Sequence, residues 1–431
     1  MSDFIDDIDQ DLLGLFEDHQ EIVSLSILSI LNSLGPIQLM RNEYWQHTRI
    51  DTNDHFERRI HDDSFKRTYR MDFNSFLVLY DMLFPYIGHD IRFSRHGTPI
   101  TKVMIVLAGL RYCAGATYDS IQDIIGTNPR VVYCLRDKFI NAVLQCPSLK
   151  IELPQSTDHI MDGFASKSSE GIMNRCIGCI DGFFQATKAP GKKEVNYNQL
   201  GYYSGHYESY GLNCQAVCDH ELRFTYFGVI GPGSMNDAVA FRLTGLKRIL
   251  ENAQEGTYML GDAAYPIMEK LLIPYTGSQR EDPFKDSFNF YLSQLRIRIE
   301  MAFGLLVQKW RILNRKLEMS IENNVKVLRV CASLHNFVID HGVSTNEEAT
   351  DTSGFTSTNS PSGFEYCPTR VEDREDLQSF LNDTERSDSV VRQVLVQFLQ
   401  QNNIRRPEYN IQRNGSAVDS NDSDLEFYTT I

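Results

Sequence analysis

Three carboxylates stand out by type and position. Asp181 ends the short apolar run 176–180, Asp262 ends the run Tyr258 to Gly261, and Glu300 sits inside a long segment of helical periodicity. A carboxylate at a strand end can project into a crevice. Three of them converging there would concentrate negative charge that is tolerable only with cations. Oxygen-only ligation suits Mg²⁺ or Mn²⁺. Two such ions can activate a water or a 3′-hydroxyl and stabilise the leaving oxygen of a phosphodiester. Gly304, four residues after Glu300, leaves room beside that carboxylate for a phosphate backbone. Each residue also has a plainer role. Asp181-Gly182 is a common turn pair, Asp262 can cap the turn after its strand, and Glu300 lies four residues after Arg296, the spacing of a helical ion pair. A fourth candidate is Asp237. Ser234-Met235-Asn236-Asp237 fits a capping box with Ser234 as N-cap and Asp237 at the third position. Capping and metal binding can coexist there.

Other groups point to less. Cys176, Cys179, Cys214 and Cys218 lie in expected strands rather than in knuckle turns, so they read as small buried residues and not as a zinc site. Asp219, beside His220-Glu221, reads as part of a hairpin turn, and His335 as a core or capping histidine. Arg296, Arg298, Lys309, Arg311, Arg315 and Lys316 gather along and after the Glu300 segment, and Lys188, Lys192 and Lys193 follow the first strand. They form either a solvated face or a phosphate-tracking rim.

The elements that must hold these residues are legible in outline. An apolar stretch from Ile22 to Met40 predicts a helix within an acidic, partly mobile lead-in, residues 1–60. Phe65, Met71, Phe73, Phe76, Leu79 and Leu83 have helical spacing. Three helices follow, over Thr101 to Cys113, Tyr118 to Ile125, and Arg130 to about Leu144, with Gly126 as a stop and Asn128-Pro129 as a start. Short helix, glycine turn and capped longer helix make a helix-turn-helix rhythm that could offer Arg130, Arg136 and Lys138 to DNA. An ordinary three-helix packing unit has the same rhythm. The helical domain is assigned to 61–150, a linker to 151–174, and a strand-rich domain to 175–342. In the last, strands are expected at 176–181, 212–219, 224–230 and 258–261. Helices are expected from Met235 to Leu250, from Asp286 on, and from Val325 to Asp340. The tail, 343–431, is polar and acidic and should be largely disordered, except that Asp388 to Gln401 could form a helix or a docking segment. Its removal is expected to leave the fold intact.

The chain of 431 residues is 42% apolar and 23% charged, average for a globular protein. No apolar run approaches the ~20 residues of a spanning helix, and the acidic start lacks the basic opening of a signal peptide. An intracellular protein with mostly reduced cysteines is expected. The net charge of −15 is unevenly spread: residues 1–60 carry −8, residues 343–431 carry −9, and the middle carries +2. The middle can therefore still face phosphate.

Six strings, in this order, resemble the PIF/Harbinger transposases and the Harbinger-derived nucleases: CIGCIDG at 176–182, YYSGHYESYGLNCQAVCD at 202–219, GPGSMND at 231–237, LGDAAYP at 260–266, FNFYLSQLRIRIEMAFGLLVQKWRIL at 288–313, and CASLHNF at 331–337. The resemblance covers roughly 175–340. It implies an α/β, RNase H-like mixed sheet flanked by helices, preceded by an all-helical domain, with a DDE metal site for two ions of Mg²⁺ or Mn²⁺. Carried over, the first Asp falls on Asp181 and the Glu on Glu300. Fold order puts the middle Asp on Asp262, while Asp237 also falls on a motif position. Asn236 stands where many relatives carry His. The family implies DNA cleavage and strand transfer in the nucleus, a cytoplasmic pool being open, a separate Myb-like DNA-binding partner, a homo-oligomer as an option, and no membrane. Three functions stay in view: a DNA endonuclease or transposase, a domesticated non-catalytic chromatin or DNA-binding protein on the same fold, and a nuclease acting on RNA.

Overall fold

The computed structural model describes residues 50–88, 100–342 and 389–407. The expected helix at 22–40 and most of the acidic tail lie outside them. The chain divides into two compact units, one from Met1–Tyr112 with Ala116–Phe139, the other from Cys113–Gly115 with Ile140–Ile431.

The first unit is helical. Helices α1 (Thr52–His61), α2 (Phe65–Tyr69) and α3 (Phe73–Leu83) bury a knot of phenylalanines, with Phe56, Phe65 and Phe73 ring centroids 5.2 to 6.0 Å apart. Asp51 and Asp72 cap α1 and α3. The helical part thus starts before residue 61, because Asp51 supplies the cap and Phe56 the buried anchor. Helices α4 (Lys102–Cys113), α5 (Tyr118–Ile125) and α6 (Pro129–Gln145) follow the expected rhythm. Thr117 caps α5, and Asn128 accepts from the Val131 N–H at 3.1 Å.

The second unit opens with a helix where a linker was expected. In α7 (Asp158–Lys167), Ile160 and Phe164 are fully buried, and the helix packs on the central strand. Two apolar residues four apart suffice to anchor it among polar neighbours. The sheet comprises β1 (Cys176–Ala186), β2 (Tyr203–Ser204), β3 (Ser209–Cys218), β4 (Phe224–Pro232), β5 (Tyr258–Leu260) and β6 (Leu271–Leu272). Strand β3 runs antiparallel between β1 and β4, β5 runs parallel to β1, and β6 parallel to β5. The order is β4-β3-β1-β5-β6, with β2 paired to the start of β3. This is the mixed sheet expected, with β2 and β6 added. Strand β1 also extends five residues past Asp181, because pairing with β3 continues to Ala186–Gly211.

Helices cover the sheet. The helix expected from Met235 to Leu250 is two, α8 (Asp237–Leu243) and α9 (Leu246–Asn252). Thr244 separates them, its hydroxyl donating to Phe241 O at 2.6 Å and accepting from Leu246 N at 3.1 Å. Phe241, Leu246 and Leu250 form a core with Ile177, Ile180, Val217 and Met259. Helices α10 (Pro283–Lys309) and α11 (Ile321–His341) complete the flanks, where Phe303 of α10 meets Phe183 of β1 at 5.2 Å. Asp282 caps α10, with Pro283 at its first position.

The tail contributes α12 (Val390–Gln401), which docks on α10. Glu269 accepts from the Val390 and Val391 N–H groups at 3.0 and 3.1 Å, so it neutralises the start of α12. Arg392 is buried against the Tyr275 ring and donates to Ile273 O, and Leu399 is fully buried. Arg406 meets Asp286 at 3.0 Å. The tail is therefore not dispensable as a whole. Removing 389–431 should lower the melting temperature by roughly 5 °C, since a few kcal/mol of burial and polar contact are lost. Calorimetry of the truncated chain checks this, and an unchanged transition would contradict the docking.

His335 and Asn336 join α11 to the sheet. Asn336 pairs with both main-chain polar groups of Phe224 at 2.8 Å, and His335 Nε2 donates to Leu222 O at 2.8 Å. Burial pushes the His335 pKa down to about 4, and Lys309 and Arg223 act in the same direction. Between pH ~6.5 and ~4 the unfolded chain takes up a proton that the folded chain refuses. Stability should fall as pH falls through that window, by about 3 kcal/mol in full. Denaturation midpoints of the wild type and His335→Gln across pH 4–7 test it: the variant's dependence should be flatter.

Candidate active site

Strand β1 shows how the site is built. Successive side chains point to opposite faces. Cys179, Asp181 and Phe183 meet α10, through Leu295 O, Arg296 and Phe303. Ile180 faces the α8–α9 core, and Gly182 faces Asp237 at the start of α8. A Cβ added at Gly182 would lie 2.1 Å from Asp237 Oδ1. The glycine is therefore a steric requirement, and the carboxylate of Asp237 fills the place of the missing side chain. Asp181 and Gly182 are partly exposed between the buried stretches 176–180 and 183–185 of the strand.

Asp181, Asp237, Asp262 and Glu300 all line one cavity of about 590 Å³. Gly304 lines it too, with open space where its side chain would be, as the sequence suggested. Asp262 accepts from the Ala264 N–H at 3.0 Å, so it is a turn cap and a cavity residue at once. Asn236, rather than Ser234, caps α8, accepting from Val239 N at 2.9 Å, which makes Asp237 the first helical residue instead of the third. Ser234 instead donates to Gly201 O at 2.6 Å. The asparagine at 236 thus has a definite job.

The electrostatics follow from burial. Burial pushes the Asp181 carboxyl up to about 8; Arg296 opposes that shift, and Asp262 and Asp237 add to it. Burial also raises Asp237, against the hydrogen bonds of Asn213 and Gln215. Gln215 Nε2 donates to Asp237 Oδ1 at 2.8 Å, Asn213 Nδ2 to the same oxygen at 3.3 Å, and Tyr265 donates its hydroxyl to Gln215 Oε1 at 2.5 Å. Sequence reasoning missed this chain. Its signal was present as two amides at alternate positions, 213 and 215, in an otherwise apolar strand. Arg296 bridges Asp181 at 3.2 Å and Glu300 at 2.5 Å. There it supplies positive charge to the two carboxylates.

Other expected DNA contacts also change. Arg136 is buried; it donates to Tyr118 Oη at 2.6 Å, pairs with Asp137 at 2.7 Å, and sits among the Tyr112, Tyr118 and Tyr133 rings. It is a packing residue. Arg130 is exposed, and Lys138 reaches Gly88 O at 3.4 Å. Arg298 is half-buried with its Nε enclosed, near Cys218, and Lys309 lies near His335. The eight cysteines among the described residues are free thiols, and Cys176, Cys179, Cys214 and Cys218 are all buried.

Four hard oxygen donors, fixed in part by amides and by a glycine cradle, have the donor chemistry of a Mg²⁺ or Mn²⁺ site. Among the described residues no three such groups stand close enough to share an ion as the side chains are turned, and Arg296 lies between two of them. Gly182→Ala should displace Asp237 and destabilise the protein by about 1–3 kcal/mol, as overpacking does. Thermal melting beside Gly304→Ala, which enters open space, checks this: only the first should shift clearly.

Residues 180–336 match the DDE superfamily endonuclease family. Among curated proteins, ALP1-like of Arabidopsis thaliana is 26% identical over 314 residues, 68% of this chain and 75% of that protein. The nuclease candidate HARBI1 of Bos taurus is 25% identical over 273 residues, 62% of this chain and 74% of its own. Antagonist of like heterochromatin protein 1, also of Arabidopsis thaliana, is 26% identical over 255 residues, 55% of this chain and 62% of its own. No solved structure matches. The matched domain implies an RNase H-like fold, in keeping with the mixed sheet. With a match to the DDE superfamily endonucleases over the segment that carries the four carboxylates, the chain is similar to that family and to the relatives named ALP1-like and HARBI1.

Proposed function

We propose that the chain is a divalent-metal-dependent DNA endonuclease with the chemistry of a transposase, acting in the nucleus. The observation that carries this is the convergence of Asp181, Asp237, Asp262 and Glu300 on one cavity within the matched endonuclease domain. In this reading Asp181, Asp262 and Glu300 are the catalytic carboxylates, and Asp237 adds a fourth oxygen donor. Bound Mg²⁺ or Mn²⁺, as one or two ions, would activate the attacking hydroxyl or water and stabilise the leaving oxygen. The chain's own residues do the rest. Gln215 and Asn213 orient Asp237, and the Gly182 N–H holds Asp181 Oδ1 at 2.8 Å. Arg296 holds Asp181 and Glu300 together while excess negative charge remains. Gly304 leaves the approach to Glu300 free for a phosphate backbone.

A second reading is a non-catalytic chromatin protein on the same fold. It draws support from the likeness to the Arabidopsis protein named for antagonism of a heterochromatin protein. The retained carboxylates weigh against it, since a retired site has no need to keep four of them on one cavity. A separate Myb-like partner and a homo-oligomer belong to the first reading as further proposals.

Nicking of supercoiled DNA by the full chain with Mg²⁺ or Mn²⁺ tests the reading. Asp181→Asn, Asp262→Asn and Glu300→Gln should each reduce nicking at least 100-fold, in the range that loss of an essential electrostatic group costs. Their circular dichroism should remain that of the wild type. Full activity in Glu300→Gln would remove that residue from the chemistry, and inactivity of the wild type with candidate element ends and a Myb-like partner would favour the second reading.

A further inference from the structure

The connection from β1 to β3 is longer than a hairpin needs, and its own hydrogen bonds hold it rigid. Glu194 accepts from Gly191 N at 3.2 Å and from Ile321 N at 2.5 Å, which ties the loop to the start of α11. Gln199 donates to Pro190 O at 2.5 Å, and Tyr197 N donates to Lys192 O at 2.7 Å. Val195 is buried beneath. Within this frame Asn196 and Tyr197 adopt φ of 49° and 65°, a left-handed conformation that a bulky residue rarely takes. The strained backbone does not bury the ring. Tyr197 is 73% exposed and Leu200 is 79% exposed, the two highest values among large apolar side chains of the described residues. Lys188, Lys192 and Lys193 are exposed on the same loop. Glu194, the carboxylate among them, is committed to main-chain N–H groups.

The loop is also joined to the active site. Its return limb, Ser204 to Tyr207, lines the carboxylate cavity. Ser234, in the segment leading to Asp237, binds Gly201 O through both its hydroxyl and its N–H, at 2.6 and 3.2 Å. Gly233 makes that approach feasible: a Cβ there would lie 2.6 Å from the Phe184 ring and 2.9 Å from Tyr202 O.

We propose that residues 188–200 form a prong that grips the DNA on which the cavity acts. The lysines meet phosphates, and Tyr197 with Leu200 packs against base or sugar faces. The inference rests on the nuclease reading. Cationic side chains beside rigidly presented apolar ones suit a polyanion with hydrophobic faces between its charges, and the shared cavity wall selects the substrate itself.

The test is fluorescence anisotropy of a labelled 25-base-pair duplex with the full chain, in EDTA so that cleavage cannot intervene, at several salt concentrations. Lys192→Gln with Lys193→Gln should weaken binding by about tenfold and make the log–log salt slope shallower by about 2, one per lost phosphate contact. Tyr197→Ser should weaken binding several-fold with the slope unchanged, because no charge is lost. Tyr197→Gly, which suits the left-handed backbone, should do the same with an unaltered melting temperature. Lys247→Gln on α9 is the control and should bind as wild type. Wild-type affinity and slope in all prong variants would overturn the prong and leave the nuclease reading standing. A wild type that binds the duplex neither alone nor with a Myb-like partner would overturn both. Displacement of the duplex by polyglutamate at equal charge would assign the surface to an acidic protein and overturn the DNA contact.

Discussion

Asp181, Asp237, Asp262 and Glu300 share one cavity, three of them partly buried and Glu300 exposed. Two like charges about 4 Å apart in partly buried surroundings repel by about 4 kcal/mol. The neighbourhood is organised against that repulsion. Arg296 forks between two of the carboxylates, two side-chain amides hold a third, and main-chain N–H groups meet Asp181 and Asp262. Burial is the chief reason the Asp181 carboxyl is raised; Asp262 and Asp237 add to the shift and Arg296 opposes it. Four oxygen donors lining one cavity have the chemistry that suits a hard cation.

The sheet makes the arrangement possible. Strand β1 is central, paired on one side with β3 and on the other with β5. Its alternation sends Asp181 to α10 and presents Gly182 to α8, so one strand serves helices on both faces. Strand β3 brings Asn213 and Gln215 to Asp237, and the segment after β5 brings Asp262. No element carries more than two of the polar groups involved. The geometry is therefore a property of the packed unit and is lost with it.

Much of this was legible in the sequence, for identifiable reasons. Helices with strong local start signals were readable to within a residue or two, as the helix starts at Tyr118 and Pro129 show, whereas α10 begins at Pro283 rather than near Asp286. Asp181 and Asp262 were visible as carboxylates at the ends of apolar runs, Glu300 as one inside a helical segment, and Asp237 through a capping pattern. Strand β1 was read as ending at Asp181 because a carboxylate and a glycine interrupt its apolar pattern; local rules fail there because the site needs those residues. Helix α7 was missed because two apolar residues carry it. Ser234 and Asn236 are both good caps two positions apart, and the choice between them depends on Gly201, far away in sequence. Arg136 shows the same limit. Residue type marked it as a surface cation, whereas three tyrosines from other positions enclose it.

The docking of α12 has a topological consequence. Glu269 and Asp286 hold residues 390 to 406 on the same unit that residue 342 leaves, so the covalent path between 342 and 389 begins and ends on that unit. A single cut in that path turns α12 from a covalent part of the fold into a separate ligand. The effective concentration that kept it docked then disappears, and occupancy of its groove on α10 becomes a matter of ordinary mass action.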